Sequence, residues 1–243
     1  MTTHFEEVTE TLRQQILQGD FAPAQKLAEI PLAASLGVSR TPVRLALAEL
    51  EREGLVEKRP RRGFSVRRFS RQDVIDAIDV RAILEGAAAR ALAERGLAAE
   101  TAALLRECLS EASRMLDAGT FDAPTRRRWV ANNLRFHDAI VEAGGNFALR
   151  LALDQVSGLP LASPAAILFD AGPPNALLER LTLAHKDHER IVSALERGEG
   201  ARVEALMREH AYVSRENKLA AFDDRAASAE IRQLPGAELV MAG

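Results

Sequence analysis

The chain has 243 residues, of which 47% are hydrophobic and 28% charged, with a net charge of −3 and one cysteine. That length favours two domains over one, the apolar fraction is ample for a core, and a lone thiol excludes an intrachain disulfide and suits a reducing cytoplasm. The opening MTTHFEEVTE has neither the basic segment nor the apolar stretch of a signal peptide. No run approaches the ~18 apolar residues of a membrane span, so the expected location is cytoplasmic, without a membrane partner.

Aromatics make up only 5% of the chain, and Ala, Leu and Arg are abundant, a mixture that loses little freedom in helices. The fold class expected is mainly α. The charge is unevenly spread. Residues 1–68 carry 11 Lys+Arg against 9 Asp+Glu, and residues 39–68 carry 9 against 4. A local basic patch therefore sits on an otherwise acidic chain.

Phe5, Val8, Leu12 and Ile16 follow helical spacing over 5–18. Gly19-Asp20 ends that helix, and FAPAQ reads as a turn. A short second helix is expected over 27–36, with Pro31 in its first turn, where a missing N–H is tolerated. Gly37 turns the chain, and Ser39 is a suitable N-cap for a third helix. In that helix Val43, Leu45–Leu47 and Leu50, with Leu55 beyond it, mark a buried face, while Arg40, Thr41 and Arg44 point elsewhere. Residues 55–58 and 64–67 read as two strands joined by Arg59-Pro60-Arg61-Arg62-Gly63. Helix, helix, turn, helix and basic hairpin together make a winged helix-turn-helix. Its third helix suits the major groove. Arg40 and Arg44 can fork onto guanine edges or phosphates, Ser39 and Thr41 can bond phosphates at the positive helix end, and Arg61 and Arg62 can reach an adjacent backbone or minor groove.

The run LGVSRTPVRLALAELEREGLVEKRPRRGFSV resembles the DNA-binding domain of the GntR family of bacterial regulators. The resemblance implies DNA contact by Ser39, Arg40, Thr41, Arg44 and the wing around Gly63. Many relatives carry a DNA-contacting Arg where this chain has Ile30.

The domains expected are 1–68 for DNA binding, 69–222 for a helical effector-binding and dimerisation bundle of six to seven helices, and 223–243 as a loosely held tail. Ser70 and Asp73 look like a cap for a helix running to Gly96. Further helices are expected over about 99–117, 125–143, 146–158, 175–197 and 199–221. Four prolines and two glycines break SGLPLASPAAILFDAGPPN into a loop, with room for a short helix near 164–169.

Four of the five histidines lie in the bundle. Asn133 and His137 are four apart and share a helix face. His188 and His210 lie on consecutive helices that a tight hairpin would bring side by side. Three imidazoles and one oxygen can hold Zn²⁺, Ni²⁺ or Mn²⁺ inside a bundle. His185 matches no such pattern and reads as a surface residue, and Trp129 as core or pocket wall.

DVRAILEGAAARALAERG, WVANNLRFHDAIVEAGGN, HERIVSALERGE and REHA resemble the FadR-type branch of the same family, and within it the vanillate-responsive repressors. That resemblance implies a metal held at Asn133, His137, His188 and His210, with Asn133 standing where relatives have Asp. It implies an effector carboxylate near Arg81, whose alternative partner is Glu85. Asn217, two helical turns after His210, joins the pocket residues. The effector implied is an aromatic acid such as vanillate, with an aliphatic hydroxy acid or sugar acid as the alternative. A homodimer on a pseudo-palindromic operator follows from two-fold symmetry.

An enzyme, for instance a metal-dependent hydrolase, is not expected. HExxH, GxSxG and a Gly-rich phosphate loop are missing, and Cys108 in LLRECLS reads as a core thiol. A structural nucleoid protein would need a strong overall positive charge.

Overall fold

The computed structural model describes residues 4–59, 63–169, 176–223 and 231–241. Its chain divides into two units, residues 1–74 with 158–161 and 232–243, and residues 75–157 with 162–231.

In the first unit, α1 (His4–Gln18) packs on α3 (Arg40–Arg52), and α2 (Glu29–Leu36) packs beside α3. Val8, Leu12 and Ile16 form the buried stripe of α1, and Val43, Ala46, Leu47 and Leu50 that of α3. Each fully buried Leu or Ile contributes roughly 1.5–3 kcal/mol, so these faces hold the helix pair. A fork adds to them: Arg13 donates through Nε to Glu53 Oε2 at 2.9 Å and through Nη2 to Glu53 Oε1 at 2.5 Å. Gly37, at φ 67°, caps α2 in the left-handed region, which turns the chain into α3. Leu45 departs from the expected buried face. It is 51% exposed, because it falls on the side of α3 turned away from α1.

The wing is a three-stranded antiparallel sheet in the order β1-β3-β2, with β1 Lys26–Leu27, β2 Val56–Arg59 and β3 Gly63–Val66. Two strands were expected. The third has only two residues, too short for any alternation, and Leu27↔Phe64 and Lys26↔Ser65 are its pairs. Consequently α2 begins at Glu29 rather than at residue 27. Ser70 and Asp73 form a reciprocal cap: Asp73 Oδ2 accepts from Ser70 N and Oγ at 2.7 Å, and Asp73 N donates to Ser70 Oγ at 3.1 Å.

The tail also departs from expectation. Residues 237–241 form α10 (Ala237–Met241), with Ala237, Leu239 and Val240 buried. Gly236 N donates to Leu17 O at 2.7 Å, and Phe69 N to Leu239 O at 2.9 Å. This short segment lacks readable periodicity, and α1 supplies the surface that orders it.

The second unit is a helical bundle: α4 (Arg71–Arg95, which begins in the first unit), α5 (Ala99–Ala118), α6 (Ala123–Gly144), α7 (Phe147–Ser157), α8 (Ala176–Glu196) and α9 (Gly200–Asp223). Leu92, Leu105, Phe136, Ile140, Ile191, Leu195, Val203 and Met207 form its principal core. Cys108 is buried in the same core, where loss of water pushes its thiol pKa up. The segment before residue 170 makes turns and bends, without the short helix expected near 164–169.

Small residues let α4 and α6 cross closely. A Cβ placed on Gly144 would lie 2.8 Å from the Ala88 carbonyl oxygen, and Arg95 Nη1 donates to Gly144 O at 2.7 Å. Because the clash is with backbone, a side chain cannot yield to relieve it. Gly144→Ala is expected to lower unfolding free energy by about 1–3 kcal/mol in urea titrations. An unchanged midpoint would mean that the two helices cross at a greater distance.

Candidate functional site

On α3 the first turn is laid out for a ligand outside the fold. Ser39 sits at the N-cap with extended backbone, and its hydroxyl makes no capping hydrogen bond. Ser39, Arg40, Thr41 and Arg44 are all exposed. Arg40 Nη2 meets Glu29 Oε2 at 3.3 Å, an exposed pair that a phosphate can displace at little cost. Gly63 opens β3 at φ 77° and is exposed. Arg61 and Arg62 lie outside the described residues. Ile30 is 65% exposed.

In the second unit the histidines converge. Candidate ligand nitrogens of His137, His188 and His210 all lie within 4.8 Å of one another. The His188 and His210 Nε2 atoms are 3.1 Å apart, close to the ~3.3 Å that two nitrogens subtend at a tetrahedral zinc. The connection between α8 and α9 is short, so α9 turns back along α8 and sets residues 188 and 210 side by side. Phe136 fixes the His188 ring from behind, stacked at 4.0 Å.

Each outer histidine has a carboxylate at its other nitrogen. Glu85 Oε2 lies 3.4 Å from His137 Nδ1, and Asp187 Oδ2 lies 3.6 Å from His210 Nδ1. Carboxylate–histidine pairs of this kind orient an imidazole and raise its basicity as a ligand. Burial, then the neighbouring His210, His137 and His185, push the His188 pKa well below 6.5. Burial also lowers His210, against the pull of Asp187. Both rings are therefore neutral at pH 7, the form that coordinates a cation.

The pocket beside the cluster is lined by Arg81, Asn133, His137, His210 and Asn217 among others, so five of the six expected effector residues meet there. His188 is not in the lining. Asn133 Nδ2 donates to Pro164 O at 3.1 Å, which leaves Oδ1 as the atom a cation can use. Trp129, Ile167, Leu168, Leu181 and Val213 supply apolar wall. Trp129 is thus both core and wall, edge-on to Phe121 at 5.6 Å. Arg81 meets its expected neighbour Glu85 and also lines the pocket. Its Nε lies 3.7 Å from Glu85 Oε1, its Nη1 donates to Ala162 O at 2.5 Å, and it faces the pocket. Burial disfavours the Glu85 carboxylate, but His137 and Arg81 outweigh it and hold its pKa at about 2.

Residues 5–66 match the bacterial regulatory proteins of the gntR family, and residues 76–212 match the FCD domain. The chain belongs to the GntR family and carries an FCD domain. It is 30% identical over 158 residues to the uncharacterized HTH-type transcriptional regulator YdhC of Bacillus subtilis, covering 65% of this chain and 68% of that protein. It is 29% identical to the probable D-xylose utilization operon transcriptional repressor of Paenarthrobacter nicotinovorans, over 86% of each chain. Among solved structures, McbR/YncC of Escherichia coli shares the fold at TM-score 0.58 and 23% identity, over 87% of this chain and 95% of that one. The chain is a DNA-binding transcriptional regulator. Among the described residues no helix is long and apolar enough to cross a membrane.

Three features of this GntR regulator escaped the sequence reading. His185 is buried rather than on the surface, 3.4 Å from Ser113 Oγ of α5. The Glu85–His137 and Asp187–His210 pairs join residues on different helices, and no local spacing announces them. Lys218 is a pocket residue that could have been found, since His210, Ser214 and Lys218 recur every four residues along α9.

Lys218 Nζ donates to Ser214 Oγ at 3.1 Å. Burial, then the charge of Arg81, lowers its pKa from 10.5 to about 7. The cost of burying the ammonium is complete below pH 7 and fades as pH rises towards 10.5, because the unfolded chain keeps its proton longer. Lys218→Met is expected to raise the melting temperature of ligand-free protein most at pH 7 and below, with the advantage shrinking towards alkaline pH. An advantage independent of pH would place Nζ in water.

Proposed function

We propose that this regulator is a homodimeric repressor released from a pseudo-palindromic operator by a small carboxylate. The observation that carries the reading is the cluster of His137, His188 and His210 beside a pocket lined by Asn133 and Arg81, in a chain that also carries a DNA-binding head. In the DNA-bound state α3 of each subunit enters one major-groove half-site. Arg40 and Arg44 read base edges or phosphates, Ser39 and Thr41 anchor the helix end, and Arg61, Arg62 and Gly63 of the wing approach the backbone. The likeness to a probable repressor of a D-xylose utilization operon supports repression.

Asn133, His137, His188 and His210 suit a divalent ion such as Zn²⁺, Ni²⁺ or Mn²⁺, with three imidazoles, a neutral amide oxygen and carboxylates behind two of the rings. A bound ion would supply positive charge to anchor the effector's carboxylate. The protein's own side chains orient that acid: Arg81 offers a planar fork, Asn217 a hydrogen bond, and Trp129 with Leu181 and Ile167 a flat apolar wall. Such a wall suits an aromatic acid, with vanillate as the first candidate. The relative's link to D-xylose favours a sugar acid as the second reading. Effector binding releases the operator only by favouring an arrangement of the two heads that does not match the half-sites, so the effector must bind that arrangement more tightly.

Two variants separate the functions. Arg44→Ala is expected to lose operator binding by at least about tenfold, as removal of one bidentate contact implies, while a thermal-shift titration still detects effector. His188→Gln is expected to lower bound metal, read by elemental analysis, and to blunt effector-induced release, while retaining operator binding without effector. Loss of both functions in either folded variant would refute this division of labour. Metal-stripped protein that responds to vanillate as loaded protein does would remove the ion from the mechanism.

A further inference from the structure

Arg81 and Lys218 are both buried cations of the pocket wall, but their charges are matched differently. Glu85 answers Arg81 at 3.7 Å and turns its second oxygen to His137. Lys218 is 3% exposed and, among the described residues, bonds the neutral Ser214 hydroxyl and no carboxylate, while Arg81 acts on it as a like charge. An ammonium has three donors, so two remain after Ser214. Among the described residues the pocket lining holds Arg81, Arg180 and Lys218 with two histidines, and no Asp or Glu.

Burying an unmatched charge is costly, a cost that an anion opposite the ammonium would offset. The placement also defines a distance. Eight residues separate His210 from Lys218 along α9, about 12 Å of helix rise. The Lys218 side chain leans back one turn to reach Ser214, which shortens the gap to the imidazoles. The pocket thus has an acid-binding end at the histidines and a second, uncompensated positive end at Lys218, within the span of one small molecule.

We propose that the effector is a two-ended acid, with one carboxylate held at the His137–His210 end and a second acidic group held by Lys218 and steadied by Ser214. This rests on the reading of the pocket as the effector site and narrows the effector from a carboxylate to a dianion.

The test is calorimetry on metal-loaded full-length protein with matched pairs that differ by one acid group: benzoate and terephthalate, benzoate and isophthalate, butyrate and glutarate. Each is also scored for release of a duplex that the protein has selected from random sequences. The expected result is that at least one diacid binds about tenfold or more tightly than its partner, the gain of one charge-assisted contact, and releases the duplex at correspondingly lower concentration. Lys218→Met is expected to reduce that preference to within about threefold, and Lys218→Arg to retain most of it. Monoacids that bind and release as well as diacids would overturn the proposal while leaving the carboxylate-responsive reading intact. A preference that survives Lys218→Met would overturn the assignment to Lys218. Should that variant fail to fold, the wild-type pairs still decide. If acids of neither kind bind, the effector reading falls and the proposal with it.

Discussion

A single buried carboxylate organises the helical unit. Glu85 is 3% exposed, in a bundle where an isolated ionised acid would be untenable. It remains ionised because Arg81 stands one helical turn before it and His137 faces it from α6. In return it cancels the charge of Arg81 and holds the His137 ring by its Nδ1 edge. The orientation of a metal-competent imidazole and the charge balance of the pocket wall therefore have one origin. Removing Glu85 would strand a guanidinium and leave an imidazole without its orienting partner.

That constraint sits on a backbone that small residues bring close. Ala88, Ala89 and Gly144 let α4 and α6 approach to a distance at which a methyl group already collides with a carbonyl. The outer surface of the bundle carries exposed ion pairs such as Arg90–Glu94 and Arg106–Glu196, each worth little in water. The inner polar groups differ because water is excluded. Burial there, more than any neighbour, holds the pKa values of His188, His210 and Lys218 below their ordinary values.

The DNA-binding head uses the opposite physics. Arg40, Arg44, Ser39 and Thr41, the proposed DNA-contacting residues, are exposed, so a phosphate or base edge would displace only water and weak surface pairs. A rigid α1–α3 pair, fixed by buried Leu and Ile and by the Arg13–Glu53 fork, carries them. Rigid support under exposed donors reduces the ordering cost of binding.

The sequence by itself determined the helices, the caps and the recognition face, because those are local. Periodicity located the helical stripes, although it mistook Leu45 for a buried residue. Ser70 with Asp73 and the SRTPVR turn could be recognised within a few residues, and the hairpin connecting α8 to α9 already implied that His188 and His210 meet. Tertiary structure decided what has no local signature. The two-residue β1 exists only because β3 offers it an edge, and α10 only because α1 offers it a surface. Glu85 meets His137, and His185 meets Ser113, across helices whose relative rotation no spacing in the chain records. Lys218 became a pocket residue for the same reason: its helical phase was readable, but its burial without a counter-charge depends on which groups the other helices bring to it.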